Sequence, residues 1–149
     1  MIKYIIGDLL ESNADVILHQ VNCKGVMGGG VARQIRNKYP KVYEEYKSLC
    51  ATYTNRSEIL LGRVESVVVN ERQIVVNLFA QNDFGTDKRQ TDYEALRQCL
   101  KKVNSIYRGN KVALPFKIGC GLGGGDWFEV LSIIEEELCD CDVLIYKLS

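Results

Sequence analysis

The chain lacks nearly everything that would tie it to a metal, a membrane or a polyanion. It has one histidine, His19, and its six cysteines contain no CxxC pair. Both facts argue against a structural zinc site, which draws on closely spaced Cys and His ligands. No apolar run approaches the ~20 residues that span a bilayer. Nineteen basic residues balance nineteen acidic ones, so no global field attracts nucleic acid or an anionic membrane. The stretch Met1 to Asp8 lacks the apolar region and cleavage site of a secretory signal, and a cytoplasmic location is expected. In that compartment thiols stay reduced. Most of Cys23, Cys50, Cys99, Cys120, Cys139 and Cys141 then read as small hydrophobes. With no linker, repeat or charge block, residues 1–149 read as one domain, expected to be a monomer with no metal and no bound cofactor.

Glycine, by contrast, is concentrated. Nine of thirteen glycines fall in two segments, Asn22 to Gly30 and Gly119 to Asp126. Each follows an apolar run and precedes a segment with helical spacing. Glycine lets a backbone adopt positive φ and press its N–H groups against a ligand. A helix N-terminus adds unsatisfied donors and partial positive charge. Two such loops in one small domain point to an anion gripped from both sides, most simply a diphosphate. Neither loop continues as Gly-Lys-Ser/Thr, which argues against a P-loop, and neither fits a dinucleotide-binding fingerprint.

Strand and helix signals alternate. Strands are expected over 3–6, 16–21, 111–114 and 143–146, with a hairpin formed by 64–69 and 74–79. Helices are expected over 31–38, 42–53 and 92–107, and from Asp126 to about Leu138. Pro40 ends the first of these. Thr91 followed by Glu94 reads as a capping box for the third. The alternation implies an α/β fold with helices on both faces of a mixed sheet. In such folds ligands gather beyond the carboxyl ends of the strands, where both glycine clusters fall.

The wording of these segments goes further. Gly7-Asp8-Leu9-Leu10, His19-Gln20-Val21-Asn22-Cys23, Gly25 to Ala32, and Leu114 to Trp127 closely resemble the macrodomain family, in order and at matching separations. The resemblance is to the branch of ADP-ribosyl-ester hydrolases and ADP-ribose-1″-phosphate phosphatases. It implies a three-layer α/β/α fold and ADP-ribose, or an ADP-ribosylated substrate, as ligand. Asp8 would accept a hydrogen bond from the adenine amino group, with Tyr146 nearby, and Leu9 would be a further ligand contact. Asn22 would bond the distal ribose hydroxyls, and Gln20 and Gln81 would be further ligand contacts. Gly28, Gly29, Gly30 and Val31, together with Ile118, Gly119, Cys120, Gly121, Leu122 and Gly123, would wrap the diphosphate. Local readings stand beside these at three positions: Asp8 as a turn cap, which can hold together with the ligand role, Asn22 as a turn former and Tyr146 as a plain strand residue.

The chain departs from the ester hydrolases of that branch at one point. Gln81 stands where they carry a lysine, and an amide cannot form a Schiff base. Lys88 reads as a solvated loop charge. Asp126 is the candidate general acid or base, with capping of the following helix as its other reading. His19, flanked by apolar residues, reads as a hydrogen-bonded core histidine. Two expectations follow: a hydrolase acting at the distal ribose, or a non-catalytic reader of ADP-ribose. A nucleic-acid ligand is disfavoured by the absence of a basic stripe.

Overall fold

The computed structural model describes residues 1–85 and 87–149, and Thr86 lies outside them. Among these described residues six strands form one mixed sheet in the order β1-β6-β5-β2-β4-β3. They are β1 (Ile2–Ile6), β2 (Val16–Val21), β3 (Val64–Val68), β4 (Ile74–Phe79), β5 (Lys111–Pro115) and β6 (Asp142–Lys147). All pairings are parallel except the β3–β4 hairpin, in which Val64 opposes Leu78 and Val68 opposes Ile74.

Among the described residues four α-helices cover the sheet: α1 (Gly30–Lys38), α2 (Pro40–Thr52), α3 (Tyr93–Ile106) and α4 (Trp127–Glu137). The alternation of side chains along β2 decides which residues meet which pair. Val16 and Leu18 join Leu96, Cys99, Val130, Ile133 and Ile134 of α3 and α4 in one core. Ile17 and Val21 join Ile35, Val42, Tyr46 and Cys50 of α1 and α2 in the other. The expected three-layer α/β/α arrangement is therefore present. No helix among the described residues is long and apolar enough to cross a membrane.

Several boundaries differ from expectation for local reasons. Pro40 does not merely stop α1; it opens α2 at the first helical position, where its missing N–H would have had no partner. Thr91 is not the cap of α3. Asp92 takes that place, its carboxylate accepting from the Ala95 N–H, and the Thr91 hydroxyl is used elsewhere. Along α4, Ile133 is fully buried, whereas Trp127 and Leu131 are only partly covered. Of the thiols, Cys139 is exposed and Cys120 partly buried, the other four being buried.

The parallel strands β2, β4 and β5 end at the same edge of the sheet. Their outgoing loops, 22–29, 80–91 and 116–126, are thereby brought over one opening.

Candidate functional site

That opening is a cleft of about 740 Å³, within the ~300–1,000 Å³ range that holds a small-molecule ligand. Of the residues assigned to a ligand from sequence, thirteen line it: Gln20, Asn22, Gly28 to Val31, Gln81 and Ile118 to Gly123. The two glycine clusters, 89 residues or more apart in the chain, thus form opposite walls. They come so close that a Cβ on Gly29 would stand 2.7 Å from Leu122 Cδ1.

Both walls offer uncommitted backbone donors. In the second loop the N–H groups of Ile118, Cys120, Gly124 and Gly125 are bonded to Pro115, Lys117, Gly121 and Gly119 carbonyls. Those of Gly119, Gly121, Leu122 and Gly123 have no acceptor among the described residues. In the first wall, α1 has Gly29 at its N-cap and no side-chain cap among the described residues, whereas α3 and α4 are capped by Asp92 and Asp126. An uncapped helix start leaves its first-turn amides for a ligand. Three carbonyls of the same run, meanwhile, are occupied. Gly119 O accepts from Gly125 N and the Thr91 hydroxyl, Gly121 O from Gly124 N, and Gly123 O from Gln90 N and Thr91 N. The surface left over is rich in donors, which suits an anion.

Gly123 is a position only glycine fits. A Cβ there would meet Thr91 Oγ1 at 2.5 Å and the Gly119 carbonyl oxygen at 2.8 Å. The turn that feeds this loop carries a non-glycine residue at positive φ, Lys117 at 60°, an αL conformation that costs a side-chain-bearing residue ~1 kcal/mol or more. Lys117 is also the charged side chain of the lining; no carboxylate is among the described lining residues.

The floor is polar and neutral. Gln20 Nε2 donates to Gln81 Oε1 at 2.7 Å and to Thr91 Oγ1 at 2.8 Å, and Gln81 Nε2 donates to the Asp83 carbonyl. His19, also in the lining, is 1% exposed and donates from Nε2 to Asn77 Oδ1. Burial holds its pKa down at about 4 in spite of that bond, so the ring is neutral near pH 7. This is the hydrogen-bonded core histidine expected from its neighbours. Burial, with the charge of Asp126 adding to it, pushes the Cys120 thiol up to about 11, so it is not a thiolate. Among the described residues no group of three His, Cys, Asp or Glu is placed to hold a metal ion.

Some sequence assignments land elsewhere. Asp126 is exposed, lies outside the lining, and accepts from Phe128 N; the structure gives it the capping role. Asp8 is likewise outside the lining and caps the 3-10 turn Leu9–Glu11 through Leu10 N at 2.9 Å. Leu9 is buried in the α1/α2-side core. Tyr146 is half-buried beside Gly7 and likewise outside the lining, although its partner in register, Pro115, belongs to the cleft. Asn22 lines the cleft, but its side chain builds the first loop. Oδ1 accepts from Lys24 N and the Tyr46 hydroxyl, and Nδ2 donates to Val26 O. One Nδ2 hydrogen remains for a ligand. Lys88 is exposed and outside the lining.

Sequence reasoning missed Phe84 and Gly85, which enter the cleft from the loop after β4, and Pro115 to Lys117. Phe84 was detectable in principle: it follows a strand whose carboxyl end faces the site, and it leaves an aromatic ring 52% exposed.

The Macro domain family model matches residues 18–134, spanning both walls and the floor. The chain belongs to the macro domain family. An ADP-ribose 1″-phosphate phosphatase of Debaryomyces hansenii is 38% identical over 85% of this chain and 88% of its own length. A DNA ADP-ribosyl glycohydrolase of Mycobacterium tuberculosis is 30% identical over 98% of this chain. The chain spans about two fifths of the length of such glycohydrolases (42% for this one). Among solved structures, a Bacteroides thetaiotaomicron protein superimposes with a TM-score of 0.84 at 32% identity, covering 98% of this macrodomain and 99% of that chain. The macrodomain of M. tuberculosis DarG gives 0.77 at 28% identity, covering 100% and 99%.

Proposed function

We propose that this macrodomain binds ADP-ribose in the cleft and hydrolytically removes a group carried on the distal ribose. The observation that carries the reading is the facing pair of donor walls: free amides at Gly119, Gly121, Leu122 and Gly123 opposite the uncapped start of α1. A diphosphate between them meets N–H groups from both sides without needing a cation. The names of its relatives, ADP-ribose 1″-phosphate phosphatase and DNA ADP-ribosyl glycohydrolase, support a reaction at the distal ribose.

Rate in such a site comes from holding the ribose and a water in one geometry, and from preorganised amides that stabilise developing negative charge. The Gln20–Gln81 pair orients without ionising, and the neutral His19 ring contributes no charge. Calorimetry with ADP-ribose tests binding, with saturation at one equivalent expected. A panel of ADP-ribose 1″-phosphate, carboxylate-ester-linked and serine-linked ADP-ribose then tests turnover. A second reading, a reader that binds without turnover, is favoured by one observation: no described cleft residue offers a carboxylate or thiolate as base. Binding with no product from any member of the panel decides for it.

A further inference from the structure

Thr91 lies beneath the second glycine loop and is 2% exposed. Its hydroxyl donates to Gly119 O at 2.6 Å and accepts from Gln20 Nε2 at 2.8 Å. Its N–H and that of Gln90 converge on Gly123 O, at 3.0 and 2.8 Å. The two carbonyls held this way stand at the ends of the run that carries the free amides, Gly119 to Gly123. Helix α3 does not need the hydroxyl, because Asp92 caps it. The same hydroxyl reaches the cleft floor, since the Gln20 amide that binds it also binds Gln81.

We propose that Thr91 is the positioning residue of this anion-binding loop, pinning both ends of the run 119–123 so that its amides stay directed into the cleft. A glycine-rich run left to itself samples many orientations, and ordering it on binding costs affinity. The carbonyl oxygens of Gly119 and Gly123, which would repel an anion, are taken up on the Thr91 side instead. The inference rests on the reading that a diphosphate occupies this loop, and it deepens that reading by naming what orders the loop.

The test compares wild type, Thr91→Val and Thr91→Ser, with Asp92→Ala as a variant that loses a cap from the adjoining helix. Each is titrated with ADP-ribose and, separately, with inorganic pyrophosphate, following the backbone amide resonances of Gly121, Leu122 and Gly123. Thr91→Val, which keeps the shape but loses the hydroxyl, is expected to weaken both probes about tenfold or more, whereas Thr91→Ser stays within about threefold of wild type. Asp92→Ala is expected to lower the melting temperature while keeping wild-type affinity. Wild-type affinity in Thr91→Val overturns the proposal, as does an equal loss in Asp92→Ala. Should Thr91→Val not fold, Thr91→Cys, a weaker donor of similar size, replaces it, and affinity equal to that of Thr91→Ser overturns the proposal. If wild type answers pyrophosphate but not ADP-ribose, the ligand reading falls and Thr91 is judged on pyrophosphate. If the three amides answer neither probe, both fall.

Discussion

Leu122 of one glycine loop occupies the space a side chain on Gly29 of the other would need, with 2.7 Å between that Cβ position and Leu122 Cδ1. The contact sets how closely the two walls approach. Gly29 has an extended backbone (φ −150°), so alanine is free of strain there and the cost lies in the contact itself. Leu122 is 59% exposed and can swing away, but only by moving at the cleft mouth. Gly29→Ala is therefore expected to weaken ADP-ribose by about tenfold, and Leu122→Ala in the same chain to restore most of it. Calorimetry on the two single variants and the double variant checks the coupling.

Gly123→Ala is a harsher change. Its neighbours include the Gly119 carbonyl oxygen, a backbone atom that cannot rotate away. Overpacking of this kind costs about 1–3 kcal/mol, and the loop must shift to relieve it. Urea denaturation should show that loss, and ADP-ribose binding should fall by more than the Gly29 variant loses. A Gly123→Ala protein with wild-type stability and affinity would show that the loop has room the structure denies it.

His19 makes stability depend on pH. Its folded pKa, about 4, lies below the ordinary 6.5 because burial disfavours the cation. Above pH 6.5 both states are neutral and the group contributes nothing. As pH falls through 6.5 the unfolded chain takes up a proton that the folded chain refuses, and stability drops until pH reaches about 4. The full drop for a shift of this size is about 3 kcal/mol. His19→Gln, which keeps a donor for Asn77, should flatten melting temperature against pH across that window. An unchanged slope in the variant assigns the acid loss to other groups.

Asp126→Ala should cost about 1 kcal/mol, the typical value of an N-cap, because α4 loses the acceptor for Phe128 N. Affinity for ADP-ribose should not change, since the carboxylate is outside the cleft lining. Turnover on whichever substrate the panel identifies should likewise persist. A loss of turnover at constant affinity would return Asp126 to the chemistry.

The sheet, the flanking helices and the two loops were legible because each leaves a local trace: β-branched runs, apolar spacing of three and four, and glycine where side chains cannot fit. The cap of α3 was read one residue too early. Thr91 and Asp92 are adjacent, and both present an oxygen to the start of α3, so spacing alone favoured the Thr91-Glu94 pattern. The Gly119 carbonyl and the Gln20 amide, 28 and 71 residues away, recruited the Thr91 hydroxyl and left the helix to Asp92. Asn22 shows the same limit. Its position before a glycine cluster marked it for the ligand, and a tyrosine 24 residues on, Tyr46, committed its oxygen to the loop.

By itself the sequence determined that this chain alternates strand and helix and carries two side-chain-poor turns at strand ends, because backbone propensity and hydrophobic periodicity are local properties. Only the tertiary structure decided that those turns face each other across one cleft, and which hydroxyls, carboxylates and amides serve it rather than a helix end. A polar side chain bonds to whichever partner the fold brings within about 3 Å, and that partner is seldom near it in the chain.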